Sequence, residues 1–168
     1  MQEFISDFRE TIETATKQLE RITEQGSCVP LEEGKWSAKQ VIGHLIDSAA
    51  NNHARFVRAQ LQDDLVFQGY EQNEWVEIQH YNDEPWEQLV ALWRNYNLHL
   101  AHVISVANDE KRDRARKQHT LEEIAFRKVG VDEAATLDFL MRDYVVHLRH
   151  HLSQIFGGGR LKVLGTGC

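Results

Sequence analysis

The sequence predicts an all-α fold, a bundle of four long helices joined by long crossover connections. Proline occurs at only two of the 168 positions, Pro30 and Pro85, so long stretches contain no helix breaker. Within them, apolar residues recur at every third or fourth position, as on the buried face of a helix, and not at every second position as in strands. With 42% hydrophobic residues the chain can bury a core, and we expect residues 1–168 to form a single domain.

The first two helices are predicted to run from about Phe4 to Glu24 and from Ala38 to about Gln60. The second has a strong start signal, because Ser37 and Gln40 have the spacing of a capping box. Trp36, just before the cap, is placed to pack against the first turn as one half of a hydrophobic staple.

Residues 62–84 connect the second helix to the third and are too aromatic for a slack linker. The aromatic residues are Phe67, Tyr70, Trp75 and Tyr81. We expect a short helix near Asn73 to His80, and substrate contacts or a dimer surface along this connection. Pro85 suits the first turn of the third helix, which is predicted to continue to about Val106.

The second long connection, residues 108–130, begins polar and basic. Its cluster Lys111–Lys117 is expected to be a solvated loop, while Leu121, Ile124 and Phe126 are expected to pack as a short element. The fourth helix is predicted to start between residues 132 and 136 and to end at the three glycines of residues 157–159. Two long connections favour a bundle with crossovers over a series of short hairpins.

Charge and cysteine content exclude several classes of protein. Nineteen basic against 26 acidic residues give a net charge of −7, which argues against binding to nucleic acid or to anionic membrane. Cys28 and Cys168 form no CxxC pair, and we expect both to be reduced and incidental. No secretory signal or long apolar stretch is visible, so a cytoplasmic location is predicted.

His147 and His151 are the strongest candidates for a functional site. They stand one helical turn apart on the stripe that also carries Leu140, Tyr144 and Ile155, so both imidazoles face inward. Side chains at this spacing have Cβ atoms roughly 6 Å apart, which lets both rings converge on one cation. The pair predicts a metal site in the core of the bundle.

A third ligand is needed, and His44 is the best candidate. It follows Gly43, which permits close approach of another element, and it shares a polar helical face with Ser48, Asn51 and Arg55, which indicates a cavity. Spacing alone does not choose His44 over the two histidines of the third helix, His99 and His102.

Four further residues could serve such a site. Asp47 and Asp143 lie one turn from a histidine, where a carboxylate can accept the second imidazole N–H, although ordinary helix-surface charge is the alternative. Asn51 and Arg55 could meet an anionic or polar substrate, or form a salt bridge or hydrogen bond within the bundle.

Three segments resemble the DinB/YfiT-like superfamily. They are Trp36-Ser37, the run His44–Ser48 followed by Asn51, Arg55 and Phe56, and the run Asp143–Ile155 with its His-x-x-x-His followed by Gln154-Ile155. The resemblance implies a four-helix bundle, frequent homodimers, and a divalent-metal site formed here by His44, His147 and His151. It also implies a metal-dependent hydrolase, or a transferase that uses a low-molecular-weight thiol.

The leading hypothesis is a cytoplasmic metal-dependent enzyme, a thiol S-transferase or a hydrolase, that acts on a small molecule. Three imidazoles leave coordination positions open, as catalytic metal sites do. Zinc and nickel are the first choices, with manganese or iron as alternatives. No glutamate lies within the His-x-x-x-His segment, so the sequence does not support proteolysis. The other class that remains open is a non-catalytic metal-binding or stress-associated bundle.

Overall fold

The computed structural model describes residues 1–157, and within them the predicted all-α fold is confirmed. The helices are α1 (Gln2–Leu19), α2 (Glu24–Ser27), α3 (Ala38–Leu61), α4 (Gln72–Gln79), α5 (Trp86–Ser105), α6 (Asp109–Asp113), α7 (Leu121–Ile124) and α8 (Leu137–Ile155), with a 3₁₀ turn at Tyr81–Asp83. Over residues 1–157 there is no strand, and no helix is both long and apolar enough to cross a lipid bilayer.

The four long helices, α1, α3, α5 and α8, form the bundle. Helix α3 packs against α5 and α8, and α1 packs against the same two helices, so α1 and α3 occupy opposite corners. Tyr144 of α8 joins all four helices at the centre. Its ring contacts Phe8 and Phe56 edge-on, and its hydroxyl donates to the Oδ1 of Asn97. Because this hydroxyl is satisfied, a tyrosine can be fully buried there.

Two predicted helix starts are confirmed. Ser37 and Gln40 form a complete capping box at the start of α3, with hydrogen bonds in both directions. Thr136 caps α8 by accepting a hydrogen bond from the N–H of Phe139, which places the start at the end of the predicted interval. Helix α4 confirms the short helix expected near residues 73–80.

The predicted end of the first helix at Glu24 is wrong, because α1 stops at Leu19. Glu24 instead begins α2, capped by Thr23, and its carboxylate makes two long-range contacts. It forms an ion pair with the buried Lys39 of α3 and accepts a 2.8 Å hydrogen bond from the N–H of Trp86 at the start of α5. Such contacts depend on tertiary packing, which the periodicity of α1 does not reveal.

The two crossover connections hydrogen-bond to each other. Leu65 donates to the carbonyl of Gln118 at 3.0 Å, and its own carbonyl accepts from Thr120 at 3.2 Å. The N–H of Phe67 donates to the Thr120 hydroxyl at 2.9 Å. This pairing holds the aromatic connection in a fixed position beside the bundle.

The basic cluster is not the solvated loop predicted for it. Residues 109–113 are helical, and Arg116 is buried, with its Nη2 donating to the carbonyls of Ala59 and Lys111. The predicted end of the fourth helix is close, since α8 ends at Ile155 and Gly157 has a φ of 67°. The last two glycines of the predicted stop, and Cys168, lie outside the described residues.

Candidate metal centre

The structure brings the three predicted histidines together. His44 lies in the second turn of α3, and His147 and His151 lie in the last three turns of α8. Their ring centroids are 4.5 to 5.1 Å apart, and one ring nitrogen from each lies within 4.8 Å of the other two. In residues 1–157 this is the only such convergence of three or more histidine, cysteine or acidic side chains.

The alternative third ligands lie elsewhere. His99 and His102 are exposed on α5, where His99 packs against the ring of His53 at a centroid distance of 5.0 Å. Of the candidates that the spacing left open, the structure therefore places His44 beside the α8 pair.

The spacing of the nitrogens fits a divalent metal. The Nε2 atoms of His44 and His147 are 3.2 Å apart. Two imidazole nitrogens bound to one tetrahedral zinc, each at about 2.0–2.1 Å, are separated by about 3.3 Å. The side chains therefore do not have to move far to bind one ion.

Burial keeps these imidazoles neutral, as metal ligands must be. Burial, reinforced by the neighbouring His151, lowers the pKa of His44 to about 3. Burial is also the main cause of the lowered pKa of His147, which falls to about 2, and of His151. All three therefore carry a free lone pair at neutral pH.

Hydrogen bonds orient two of the rings toward a common centre. The Nδ1 of His151 lies 3.0 Å from the Oε1 of Gln154, and the Nδ1 of His147 lies 3.4 Å from the Oγ of Ser48. We assign the Nδ1–H tautomer to both rings, because it lets each donate to its partner and leaves Nε2 free. The buried Nδ1 of His44 has no hydrogen-bond partner within residues 1–157.

Asp47 and Asp143 do not contact these imidazoles. The Asp47 carboxylate accepts hydrogen bonds from the Gln79 amide at 2.9 Å and from the Tyr81 hydroxyl at 2.8 Å. Asp143 accepts three, from the backbone N–H groups of Phe126 and Arg127 and from the Arg127 guanidinium. The predicted carboxylate–imidazole contacts are thus replaced by Ser48 and Gln154, because other donors reach both carboxylates.

Two aromatic rings that the sequence did not assign to the site form its walls. Trp36 lies 5.2 Å from the ring of His44 and 6.5 Å from that of His151. Phe126, held by Asp143, lies 5.5 Å from the ring of His147. The tryptophan precedes the helix cap and the phenylalanine lies in a crossover, so only tertiary structure places them here.

The site opens into a cavity of about 1110 Å³, as the polar face of α3 predicted. His44 and His147 line it, together with Ser48, Asn51, Asn52 and Arg55 of α3, Tyr70 and Trp75 of the first crossover, and Phe126. The Nδ2 groups of Asn51 and Asn52 donate to backbone carbonyls one turn earlier. The volume is sufficient for a small organic molecule.

Replacing Gln154 by alanine is expected to weaken zinc binding by roughly 10-fold, the lower end of the range for partners of ligating histidines. The His151 ring would lose the acceptor that fixes its orientation. Competition with a chromophoric chelator measures the change. Gln154→Glu retains an acceptor and is the matched control, and equal losses in both variants would contradict the orienting role.

The metal-free protein is expected to lose stability as the pH falls from about 6.5 to about 4.5. In this window the unfolded histidines bind protons that the folded ones exclude, so the free energy of unfolding rises with pH. His44, at 1% exposure, contributes about 1.4 kcal/mol per pH unit. The free energy of unfolding, measured with urea at several pH values in this range, should change less steeply with pH in His44→Gln than in His102→Gln. Equal dependence on pH in the two variants would contradict the assignment.

Comparisons with known proteins identify relatives along most of the chain. The family model described as the DinB superfamily matches residues 7–155. The YfiT protein of Bacillus subtilis, described as a probable metal-dependent hydrolase, is 23% identical over 137 residues, which cover 82% of this chain and 71% of YfiT. A candidate metal-dependent hydrolase of Oceanobacillus iheyensis is 39% identical over 49 residues, 29% of this chain and 28% of that protein.

The solved structure of YfiT, described as a four-helix bundle of unusual topology, superimposes with a TM-score of 0.73 at 21% identity. The match covers 94% of this chain and 86% of that one. It shows that the two chains share a fold.

Proposed function

The chain belongs to the DinB superfamily, and from that membership we propose that it is a divalent-metal-dependent hydrolase acting on a small molecule. The observation that carries the proposal is the convergence of His44, His147 and His151 at the end of a large cavity. The names of two relatives support it, since both describe metal-dependent hydrolases.

The three histidines would hold the ion, with zinc or nickel as the first choices. A metal bound by three imidazoles keeps a position open and supplies Lewis-acid activation of a water molecule or a substrate. Burial keeps the ligands neutral, Ser48 and Gln154 orient His147 and His151, and the Trp36 and Phe126 rings pack beside His44 and His147.

Thiol S-transfer is a second candidate, favoured because no carboxylate of residues 1–157 hydrogen-bonds to the three imidazoles. Asp47 and Asp143 line the same helix faces, but each accepts hydrogen bonds from other groups and none from the three rings. A thiol loses its proton far more readily than water does, so thiol transfer needs less help from a general base.

Metal binding is the first test. Protein reconstituted with zinc, nickel or manganese should retain about one equivalent per chain after gel filtration, as measured by elemental analysis. Less than about 0.3 equivalents with all three ions would overturn the metal-dependent function. His102→Gln removes an exposed histidine outside the cluster and should bind as the unaltered protein does.

The reaction is tested with the loaded protein. Turnover of an ester or amide panel supports hydrolysis, and transfer of a low-molecular-weight thiol to an aromatic halide supports the second candidate. Stoichiometric metal without turnover in either assay favours a non-catalytic metal-binding bundle. The homodimer and the cytoplasmic location stay predictions, and sedimentation of the purified chain tests the first.

A further inference from the structure

Arg55 is a buried cation on the cavity wall that no carboxylate neutralises. Its side chain lines the cavity, yet the residue is only 6% exposed. No carboxylate oxygen of residues 1–157 lies within 4.0 Å of its nitrogens, whereas the buried Lys39 forms an ion pair with Glu24. An unpaired buried charge is costly, so a protein that keeps one has a use for it.

Most of the guanidinium donors are unused. A guanidinium has five N–H donors, and within residues 1–157 Arg55 makes one hydrogen bond, from Nη2 to the carbonyl of Gln68 at 2.9 Å. Burial lowers the pKa of Arg55, and only the Tyr70 hydroxyl opposes that change. The hydrogen bond to Gln68 explains the position of the side chain, but a neutral carbonyl does not compensate the charge of a buried guanidinium.

The inner wall of the cavity favours an anion. Its acidic residues are Glu71, Glu74 and Glu123, all exposed at the rim, and the buried Asp143, which is paired with Arg127. Arg58, one turn beyond Arg55, adds a second, exposed cation with no ion pair in the described residues. Of the two buried charges on the lining, Asp143 is paired and Arg55 is not paired with any carboxylate of residues 1–157, so the inner wall carries one uncompensated positive charge.

We propose that Arg55 binds a carboxylate or phosphate group of the substrate whose reacting end lies at the three histidines. Both groups accept two parallel hydrogen bonds from a guanidinium, which suits the unused donors. The reacting-end assignment rests on the proposed function; the anion site itself does not. Arg55 follows His44 by 11 positions in α3, a rise of about 16 Å between their Cα atoms at 1.5 Å per residue, so an elongated substrate would reach both side chains.

The anion site is tested first in the metal-free protein, by calorimetric titration with suberate, hexyl phosphate and uncharged octanamide. We expect the better anion to bind at least about 10-fold more tightly than octanamide, as hydrogen bonds to a charged group imply. The anion that binds more tightly shows whether the site prefers a carboxylate or a phosphate. Equal affinity for all three compounds overturns the proposal without any variant.

Two substitutions locate the site. Arg55→Gln should remove the preference for the anion, while Arg55→Lys, which keeps the charge without the bidentate geometry, should retain part of it. Arg9→Gln makes the same change in net charge on the exposed face of α1, outside the cavity lining, and should bind as the unaltered protein does. If Arg55→Gln fails to fold, the lysine variant and the comparison of ligands still decide.

A second titration links the anion site to the histidines. Zinc-loaded protein is titrated with hydroxamic acids of increasing chain length that end in either a carboxylate or a methyl group. The carboxylate series should bind more tightly at one preferred length, and Arg55→Gln should abolish that preference while zinc affinity changes less than about 2-fold. Equal weakening of both series by Arg55→Gln would indicate a purely structural role and overturn the proposal.

The failure of one proposal can be told from the failure of the other. If zinc does not bind but the anion preference depends on Arg55, the metal-dependent function fails and the anion site stands. If zinc binds and neither titration shows a preference for the anion, the anion site fails and the metal centre stands.

Discussion

Replacing His147 by glutamine is expected to weaken zinc binding by more than about 100-fold, beyond the range for loss of an outer-sphere partner. The Nε2 of His147 lies 3.2 Å from that of His44, and its ring centroid is within 5.1 Å of those of both other histidines, so the substitution removes one of the three converging ligands. Two histidines would remain, too few for a tight site. Chelator competition measures the affinity, and any metal-dependent turnover should be lost with it.

Glutamine has a smaller side chain than histidine and keeps polar atoms, so the bundle should still fold. Circular dichroism checks this. His102→Gln is the matched control, because it makes the same chemical change on the exposed face of α5. Unchanged zinc affinity in His147→Gln would place the metal elsewhere and remove the basis of the proposed function.

Replacing Gly43 by alanine is expected to destabilise the protein by about 3 kcal/mol, the upper end for overpacking a core. A Cβ at this position would lie 2.1 Å from the ring of Tyr81. The ring has little freedom to move aside, since Tyr81 is 5% exposed and its hydroxyl donates to Asp47. Because His44 is the next residue, the displacement of α3 should also weaken zinc binding.

Urea unfolding measures the loss of stability, and Gly69→Ala provides the comparison. A Cβ at Gly69 meets nothing closer than the Cγ2 of Ile124 at 3.7 Å, an ordinary contact. Adding Tyr81→Ala to Gly43→Ala should make the two losses less than additive, since removing the ring relieves the clash. Additive losses would show that the close approach is not what requires glycine.

The bundle was predictable because its signals are local. Apolar periodicity marks the long helices, and the Ser37–Gln40 capping box fixes one helix start within the sequence itself. The end of α1 was missed because contacts with residues distant in the sequence decide it. Glu24 reaches α3 and α5, which a periodicity within one helix cannot reveal.

The site was predictable in part for the same reason. His147 and His151 are one turn apart on one helix, so their convergence follows from helix geometry. His44 lies 103 residues from His147, and only packing of α3 against α8 decides between it and the histidines of α5. Ser48 and Gln154 were not foreseen as partners of the imidazoles, because long-range contacts decide which groups Asp47 and Asp143 bind instead.

The separation of the histidines along the chain has a consequence for how the protein is held together. A metal ion bound by His44 and by the two histidines of α8 would close a loop of more than one hundred residues, much as a disulfide would. Metal binding is then linked to docking of α8, because the three histidines converge only while α8 is docked. The concentration of the free ion would thus set how often α8 detaches, and with it how long the chain survives proteolysis.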